Sequence, residues 1–379
     1  MKRSAIAIAV FALAGCSGGG SSPGATTTGT LMSTPSPKPS PTPTPAVPLS
    51  FKMALRGLVA MGRAPSPSGT PTNDFEEINA HPAVYVATVI NLYWSQLEPE
   101  QGVFDDTQLR AALANIAAYN AKYPATPVVG KLRIRMGAGT PAWVIAATGG
   151  VTFTDANGDT GTIGHYWTPT YASEWQALQA HLASEFDGSS QIAEVAISSC
   201  SSLTAEPFIA PQSPSAISAL HAAGYTDAEG MSCLSNAPND YAAWKKTPLD
   251  FTFNAFAQTD TGRPVANDTF PIQVMDAFRA KFGTRGVVAN HGLQSPLAPG
   301  AVPIYTEFTN LYNEAIAARP PSTSPLEFQT YSPTVDWPTT IALGFTYHPS
   351  EIEIWDTTAA GGAAPLTQAQ LQSWATSLQ

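Results

Sequence analysis

Residues 50–379 alternate between two hydrophobic periods. Short runs rich in β-branched and aromatic residues, typical of buried strands, are separated by longer segments with apolar residues at helical spacing. Eight runs predict strands: Phe51–Met61, Val84–Leu92, Val128–Met136, Ile192–Ile197, Asp250–Phe256, Gly286–Asn290, Leu326–Thr330 and Glu351–Trp355. The segments that follow them predict helices: Asn73–Asn79, Thr107–Tyr123, Pro169–Phe186, Ser213–Ala223, Pro271–Phe282, Tyr305–Arg319, Trp337–Gly344 and Thr367–Leu378.

This order predicts an α/β fold. Strict alternation of strands and helices indicates a parallel sheet, and eight such units over residues 50–379 predict a (β/α)8 TIM barrel. A doubly wound open sheet is the alternative, but it needs a Gly-rich phosphate turn after its first strand, and Gly57–Gly69 contains no GxGxxG. A small β-hairpin insertion is predicted after strand three, over Val151–Tyr166, with its turn at Asn157-Gly158.

The N-terminal 15 residues predict a signal peptide. Met1–Arg3 is positively charged, and the apolar run Ser4–Ala12 is shorter than the roughly 20 residues that span a bilayer. Leu13–Cys16 reads LAGC and resembles the lipobox of bacterial lipoproteins, which implies lipidation of Cys16. An ordinary secretory signal with a chance cysteine is the alternative. We therefore expect a protein of the cell envelope, anchored in the outer membrane or at the cell surface and facing the periplasm or exterior.

A linker is predicted to separate this anchor from the barrel. Residues 16–49 comprise Cys16 and a stretch dominated by Gly, Ser, Thr and Pro, which cannot bury enough apolar surface to order itself. Residues 50–379 are then one domain, which we expect to be monomeric. Its partners are predicted to be the membrane, through the lipid, and a carbohydrate. The net charge of −10 argues against nucleic-acid binding, which requires a basic face.

The three cysteines are predicted to have two different roles. With Cys16 assigned to the lipid, Cys200 and Cys233 form an even pair in an oxidising compartment, which favours a disulfide over two free thiols, the alternative. Neither cysteine has CxxC or HxxxH spacing, and the six histidines are not paired at ligand spacing. No metal or other cofactor is expected.

The first motif with chemical meaning follows strand two. Residues 93–105 read YWSQLEPEQGVFD and resemble the W-x-x-L-E-P-x-x-G-x-(F/Y)-D segment of clan A glycoside hydrolases, a barrel superfamily that includes cellulases and β-galactosidases. Thr140–Trp143 resembles the strand-three region of the same superfamily. The resemblance implies a structural role for Glu98, whereas Trp94 is either a core residue or a sugar platform. Arg133 and Arg135 are candidates to hold a carboxylate in its charged form.

Two carboxylates are predicted to carry the reaction. The superfamily has its general acid/base after strand four, usually in an Asn-Glu pair; here Glu206 precedes a proline, but Ala205 stands in place of Asn and the strand ends well before it. The nucleophile is expected on strand seven, at Glu327, which shares a strand face with Gln329. Glu353 on strand eight is the competing second carboxylate.

Other strand ends carry residue types that bind sugars. Aromatic rings stack on pyranose faces, and amides and acids hold hydroxyl groups. The candidate substrate-binding residues are Trp94, Arg135, Trp143, Trp167, Asn254, His291, Gln329, Glu353 and Trp355.

The resemblance implies a retaining glycoside hydrolase that acts on an oligo- or polysaccharide. Retention requires two carboxyl groups about 5–5.5 Å apart, and the acid needs a pKa raised by burial or nearby negative charge. One alternative is a non-catalytic carbohydrate-binding lipoprotein with a degenerate barrel site, which the sequence around Ala205-Glu206 favours. A metal-dependent barrel hydrolase is a second alternative.

Overall fold

Eight parallel strands form a closed barrel in the computed structural model, which describes residues 50–61, 75–155, 158–208, 213–318, 324–332, 335–355 and 366–379. The barrel strands are β1 (Gly57–Met61), β2 (Tyr85–Tyr93), β3 (Val129–Arg135), β4 (Ile192–Ile197), β5 (Leu249–Thr252), β6 (Gly286–Leu293), β7 (Leu326–Thr330) and β8 (Glu351–Trp355). Each strand pairs with the next, and β8 pairs with β1 in the register Gly57–Glu351. The predicted TIM barrel is confirmed.

Helices connect these strands around the outside of the barrel. The α-helices of the described ranges are Phe75–Ala80, Trp94–Leu97, Thr107–Lys122, Ala142–Thr148, Pro169–Phe186, Pro214–Ala222, Asp227–Asp240, Thr269–Phe282, Val302–Ala318, Trp337–Phe345 and Gln368–Ser377. None of these helices combines the length and the apolar character that crossing a membrane requires.

Side-chain caps explain several helix starts. The Thr168 side chain accepts a hydrogen bond from the backbone N–H of Tyr171, and Pro169 occupies the first helical position, where its missing N–H is not needed. Thr226 and Glu229 form a capping box at the start of Asp227–Asp240. That helix was not predicted, because its Ser, Asn, Gly and Pro content hides the helical period.

Two hairpins project from the barrel. Gly150–Thr154 pairs antiparallel with Thr160–Gly164, so the predicted hairpin after strand three is present. A second, unpredicted hairpin joins Phe256–Gln258 to Val265–Asn267. Phe256 therefore belongs to this hairpin and not to strand five, which ends at Thr252.

The first strand is shorter than predicted. Residues 51–56 precede β1 instead of forming its first half, and the side chains of Phe51 and Met53 are exposed. Pairing with β8 begins only at Gly57, because Glu351 is the first residue of β8. The apolar pattern of Phe51–Met61 therefore overstated the length of the strand.

A disulfide joins Cys200, just after β4, to Cys233 in the helix Asp227–Asp240, with a Cα–Cα distance of 6.0 Å. The predicted pairing is confirmed. The predicted signal peptide, Cys16 and the linker as far as residue 49 lie outside the described residues.

The protein has two chemically different buried regions, one between the strands and the helices and the other inside the barrel. Between strands and helices the packing is apolar, and it includes Leu132 and Trp175. Inside the barrel, a separate apolar cluster is formed by Leu55, Val59, Ala87 and Val89. The barrel interior also holds a cluster of charged side chains around Lys131 and Arg133.

Candidate active site

Lys131 of β3 is surrounded by carboxylates inside the barrel. Because side chains alternate along a strand, Lys131, Arg133 and Arg135 share the inner face of β3. The distances from Lys131 Nζ to the nearest carboxylate oxygens are 2.8 Å for Asp250, 3.1 Å for Glu353, 3.4 Å for Glu351, 3.7 Å for Glu194 and 3.7 Å for Glu327. All six side chains are fully buried.

This cluster holds more acids than one ammonium can neutralise. Burial alone would lower the pKa of Lys131, but Asp250 and the surrounding glutamates raise it well above its usual value. Burial and Glu194 raise the pKa of Glu351, and burial also raises that of Glu194, which hydrogen-bonds to it. Two carboxylates buried this close together disfavour the ionisation of one another.

Arg133, the next inward residue after Lys131 on β3, forms an ion pair with Glu353. Its Nη2 donates to both carboxylate oxygens of Glu353, at 2.6 and 2.8 Å, and its Nη1 donates to Gln329 Oε1 at 3.2 Å. Burial would raise the pKa of Glu353, but Arg133 and Lys131 lower it to about 2. Glu353 is therefore an ionised carboxylate committed to two internal cations.

Part of the same cluster has metal-like spacing. Asp250, His291 and Glu353 each place one ligand atom within 4.8 Å of the others. Lys131 Nζ already contacts Asp250 and Glu353, however, and Arg133 Nη2 lies 3.3 Å from His291 Nε2. Protein cations thus occupy the position that a metal ion would take, and the residues do not fit a metal.

His291 on β6 connects two carboxylates through opposite sides of its ring. Nδ1 lies 3.1 Å from Glu206 Oε1, and Nε2 lies 3.6 Å from Glu327 Oε2. Nε2 also lies 3.1 Å from Thr252 Oγ1. Glu206 is 21% exposed, whereas Glu327 is completely buried. The imidazole therefore lies between a carboxylate open to solvent and one closed to it.

The contacts of His291 set the ionisation of this group. Burial and Arg133 would lower the pKa of His291, but Glu327 and Glu206 raise it to about 9. Burial and the neighbouring Glu353 and Asp250 raise the pKa of Glu327 to about 7, against the opposing effect of Lys131. For Glu206, burial would raise the pKa, but the hydrogen bond from His291 lowers it overall. The expected raised pKa thus falls on Glu327 and not on Glu206.

Glu206 reaches the barrel mouth from a loop. The end of β4 is followed by Ser198 and Ser199, and Ser199 Oγ donates to Asp240 Oδ2 at 2.6 Å. The chain then passes through Cys200, whose φ of 66° and disulfide turn it away from the strand. Buried serines thus stand immediately after β4, and the carboxylate comes from a later position on the loop.

Two of the predicted tryptophans belong to the packing around β2. Trp94 is 0% exposed, donates from Nε1 to Glu98 Oε2 at 2.8 Å, and packs edge-on against Trp143 and Trp175. Trp94 is therefore a core residue and not a sugar platform. Trp143 is half-buried and donates from Nε1 to the Glu98 carbonyl at 3.1 Å. Glu98 has the structural role that the resemblance implied.

The other predicted binding residues fall into two groups. Gln329 and Glu353 are buried and bonded to Arg133, and their contact with a substrate stays a prediction. Asn254, Trp167 and Trp355 are half-buried. Asn254 Oδ1 accepts from Asn290 at 3.1 Å, Trp167 stacks on His165, and Trp355 follows Glu353 at the end of β8.

Sequence reasoning missed the lower part of the charged cluster. Lys131, Glu194, Asp250 and Glu351 were passed over because none of them lies at the carboxyl end of its strand, where catalysis is expected. A signal was present for two of them: Glu194 and Asp250 are each the single charge of an otherwise uncharged strand, whereas β3 and β8, which hold Lys131 and Glu351, carry further charges.

Residues 68–217, less than half of the chain, match the model of glycoside hydrolase family 42, described as β-galactosidase. Among solved structures, a β-galactosidase from Rahnella sp. R3 superposes with a TM-score of 0.50 at 12% identity, covering 86% of this chain and 58% of that one. No curated protein sequence matches the chain significantly.

A second structure, an endo-glycoceramidase II from Rhodococcus sp. in complex with a five-membered iminocyclitol, gives a TM-score of 0.50 at 12% identity. It covers 86% of this chain and 81% of that one. At such identities the structures establish the fold, and the chain spans little more than half of the Rahnella enzyme. The family match alone supports a glycoside hydrolase, and it does not fix the family.

Proposed function

We propose that the protein is a retaining glycoside hydrolase that acts on an oligo- or polysaccharide at the cell envelope, where a lipid on Cys16 anchors it. Glu206 is the general acid/base and Glu327 the nucleophile. The observation that carries the proposal is the pair of carboxylates on opposite nitrogens of His291: Glu206 comes from a loop after β4, on the side where active sites of this fold lie, and Glu327 lies deeper, on β7.

His291 supplies the proton that Glu206 lacks. Because Glu206 is ionised, it accepts the Nδ1–H hydrogen bond. When a glycosidic oxygen replaces water beside Glu206, the proton passes from Nδ1 to the carboxylate and then to the leaving oxygen. As the C–O bond breaks, Glu327 bonds to the anomeric carbon and a glycosyl ester forms. Water then attacks this ester, and Glu206 takes the proton of the water.

The proposal requires His291 to move. Retention needs the two carboxyl groups about 5–5.5 Å apart with the sugar ring between them, yet an imidazole now separates them and Glu327 is buried. Turning the ring of His291 away from Glu327 would open the path between Glu206 and Glu327. The half-buried Trp355 and Asn254 are then available to the sugar.

Glu206→Gln and Glu327→Gln test the two roles separately. With a glycoside of poor leaving group, Glu206→Gln should lower kcat/KM by roughly 10²–10⁴-fold, because protonation of the leaving oxygen is lost. With a dinitrophenyl glycoside the loss should be much smaller, since that leaving group needs no proton. Glu327→Gln should abolish turnover of both substrates.

Glu100→Gln, at an exposed acid, is the matched control and should leave the rate unchanged. The anomeric configuration of the first product, followed by NMR, should be that of the substrate. An inverted product would contradict the retaining mechanism. Equal activity in all three variants would rule out the assignment of both residues.

A non-catalytic carbohydrate-binding protein is the second candidate. It is favoured by the complete burial of Glu327 and by Ser198 and Ser199 immediately after β4, where the superfamily usually has Asn-Glu. Calorimetric binding of oligosaccharides without cleavage of any glycoside, in the wild-type protein, would select this candidate over the hydrolase.

A further inference from the structure

Three cations project from the inner face of β3, and one of them lacks a counter-ion. Lys131 is surrounded by carboxylates, and Arg133 is bonded to both oxygens of Glu353. For Arg135, no carboxylate oxygen of the described chain lies within 4 Å of the guanidinium, and Nε is buried without a hydrogen-bond partner. Its recorded neighbour is the ring of Tyr93, 5.9 Å from the guanidinium carbon.

The position of Arg135 puts this cation at the proposed site. Arg135 is the last residue of β3, one inward position above Arg133, and it pairs in register with Tyr93 at the end of β2. Glu206 is close enough to affect the charge of Arg135 electrostatically, although burial, which lowers the pKa of this guanidinium, is the larger effect. A group bound by Arg135 would thus lie beside the acid that protonates the leaving oxygen.

The chemistry of a guanidinium limits what that group can be. Arg135 is half-buried with its Nε enclosed, and hydroxyl groups of a neutral sugar would satisfy its N–H donors without neutralising its charge. A carboxylate does both, because its two oxygens match the planar fork of arginine. Lys131 and Arg133 already form ion pairs with carboxylates of the protein, whereas among the described residues only the more distant Glu206 and Asp159 act on the charge of Arg135.

We propose that Arg135 binds the carboxylate of a uronic acid residue next to the scissile bond, so that the substrate is an acidic glycan. This inference rests on the proposed function and names its substrate class. A neutral galactoside or glucoside would leave the Arg135 charge uncompensated in a site from which the substrate has displaced water.

Arg135→Gln and Arg135→Lys test the inference on a panel of aryl uronides and the corresponding neutral glycosides, in both anomeric forms. The wild-type enzyme should prefer uronides. Arg135→Gln should lower kcat/KM on uronides on the order of 100-fold, the loss expected for a bidentate charged pair, and leave neutral glycosides nearly unchanged. Arg135→Lys should recover part of the loss, because it keeps the charge and loses the fork.

Arg263→Gln, at an exposed arginine, is the matched control, and thermal melting checks that each variant is folded. Calorimetric binding of uronic acid oligosaccharides to Glu206→Gln, with and without Arg135→Gln, gives a readout that does not need turnover. If no glycoside is cleaved but uronate binding depends on Arg135, the hydrolase proposal fails and the uronate inference stands.

Three results would overturn the inference. The first is hydrolysis of neutral glycosides as efficiently as uronides. The second is an equal effect of Arg135→Gln on both substrate groups. The third is binding of sulfated in preference to carboxylated oligosaccharides.

Discussion

The two faces of strand β3 differ sharply in chemistry. Leu132 and Ile134 point outwards into the apolar packing beneath the helices, whereas Lys131 and Arg133 point inwards into a set of buried carboxylates. One strand thus contributes to two interiors that are stabilised in different ways. The outer one depends on apolar area removed from water, and the inner one on charges that compensate each other.

The difference between the two faces of β3 indicates which substitutions should affect stability alone and which should also affect activity. Apolar packing around the barrel tolerates change in proportion to the volume lost. The inner cluster is less tolerant, because Lys131 contacts acids from β4, β5, β7 and β8 and therefore connects strands that are far apart in the sequence. It also fixes the charges below the proposed site, since Glu353 and Glu327 belong to it.

Lys131→Met should have the largest effect of a single change on β3. Removing the ammonium leaves Asp250, Glu327 and Glu353 without their shared cation, and breaking a buried ion pair from one side typically costs about 3–5 kcal/mol. The free energy of unfolding, measured in urea, should fall by that amount and fall further as the pH rises and Glu327, whose pKa is raised, ionises. A loss independent of pH would contradict a role for Lys131 as their counter-ion.

Leu132→Ala on the other face of the strand should cost about 2–5 kcal/mol, because it leaves a cavity in the apolar packing. This loss should not vary with pH, and the folded variant should keep wild-type kinetics well below its melting temperature. The pair of variants therefore sharpens the comparison. A Leu132→Ala enzyme with altered pH dependence would show that the two interiors are not independent.

The apolar packing between strands and helices could be predicted from the sequence better than the charged cluster inside the barrel. The periods that placed Ile192–Ile197, Leu326–Thr330 and Glu351–Trp355 also gave their observed bounds, because each strand is short and apolar on its helix-facing side. Hydrophobic periodicity records burial, and the packing of strands against helices is its direct cause.

The charged cluster inside the barrel could not be predicted, because it depends on contacts that no local sequence pattern contains. That Lys131 meets Glu351, 220 residues later, depends on barrel closure and register. The same holds for Glu206 beside His291: Glu206 was singled out as an acid near the end of strand four, but its hydrogen bond and lowered pKa come from β6. Trp94 was left between two roles because its packing partners lie on separate helices.

The ionisation state of His291 tests most directly whether one imidazole joins the two carboxylates. In protein labelled with ¹⁵N-histidine, the shifts of both ring nitrogens can be followed between pH 5 and pH 10, values chosen to bracket the pKa of about 9. Because Glu206 and Glu327 raise that pKa, both nitrogens should carry protons at neutral pH, and deprotonation should move to lower pH in Glu206→Gln and in Glu327→Gln. A ring that is neutral at pH 7 in the wild-type protein would contradict the arrangement on which the proposed mechanism depends. So would a ring that deprotonates in both variants at the same pH as in the wild-type protein.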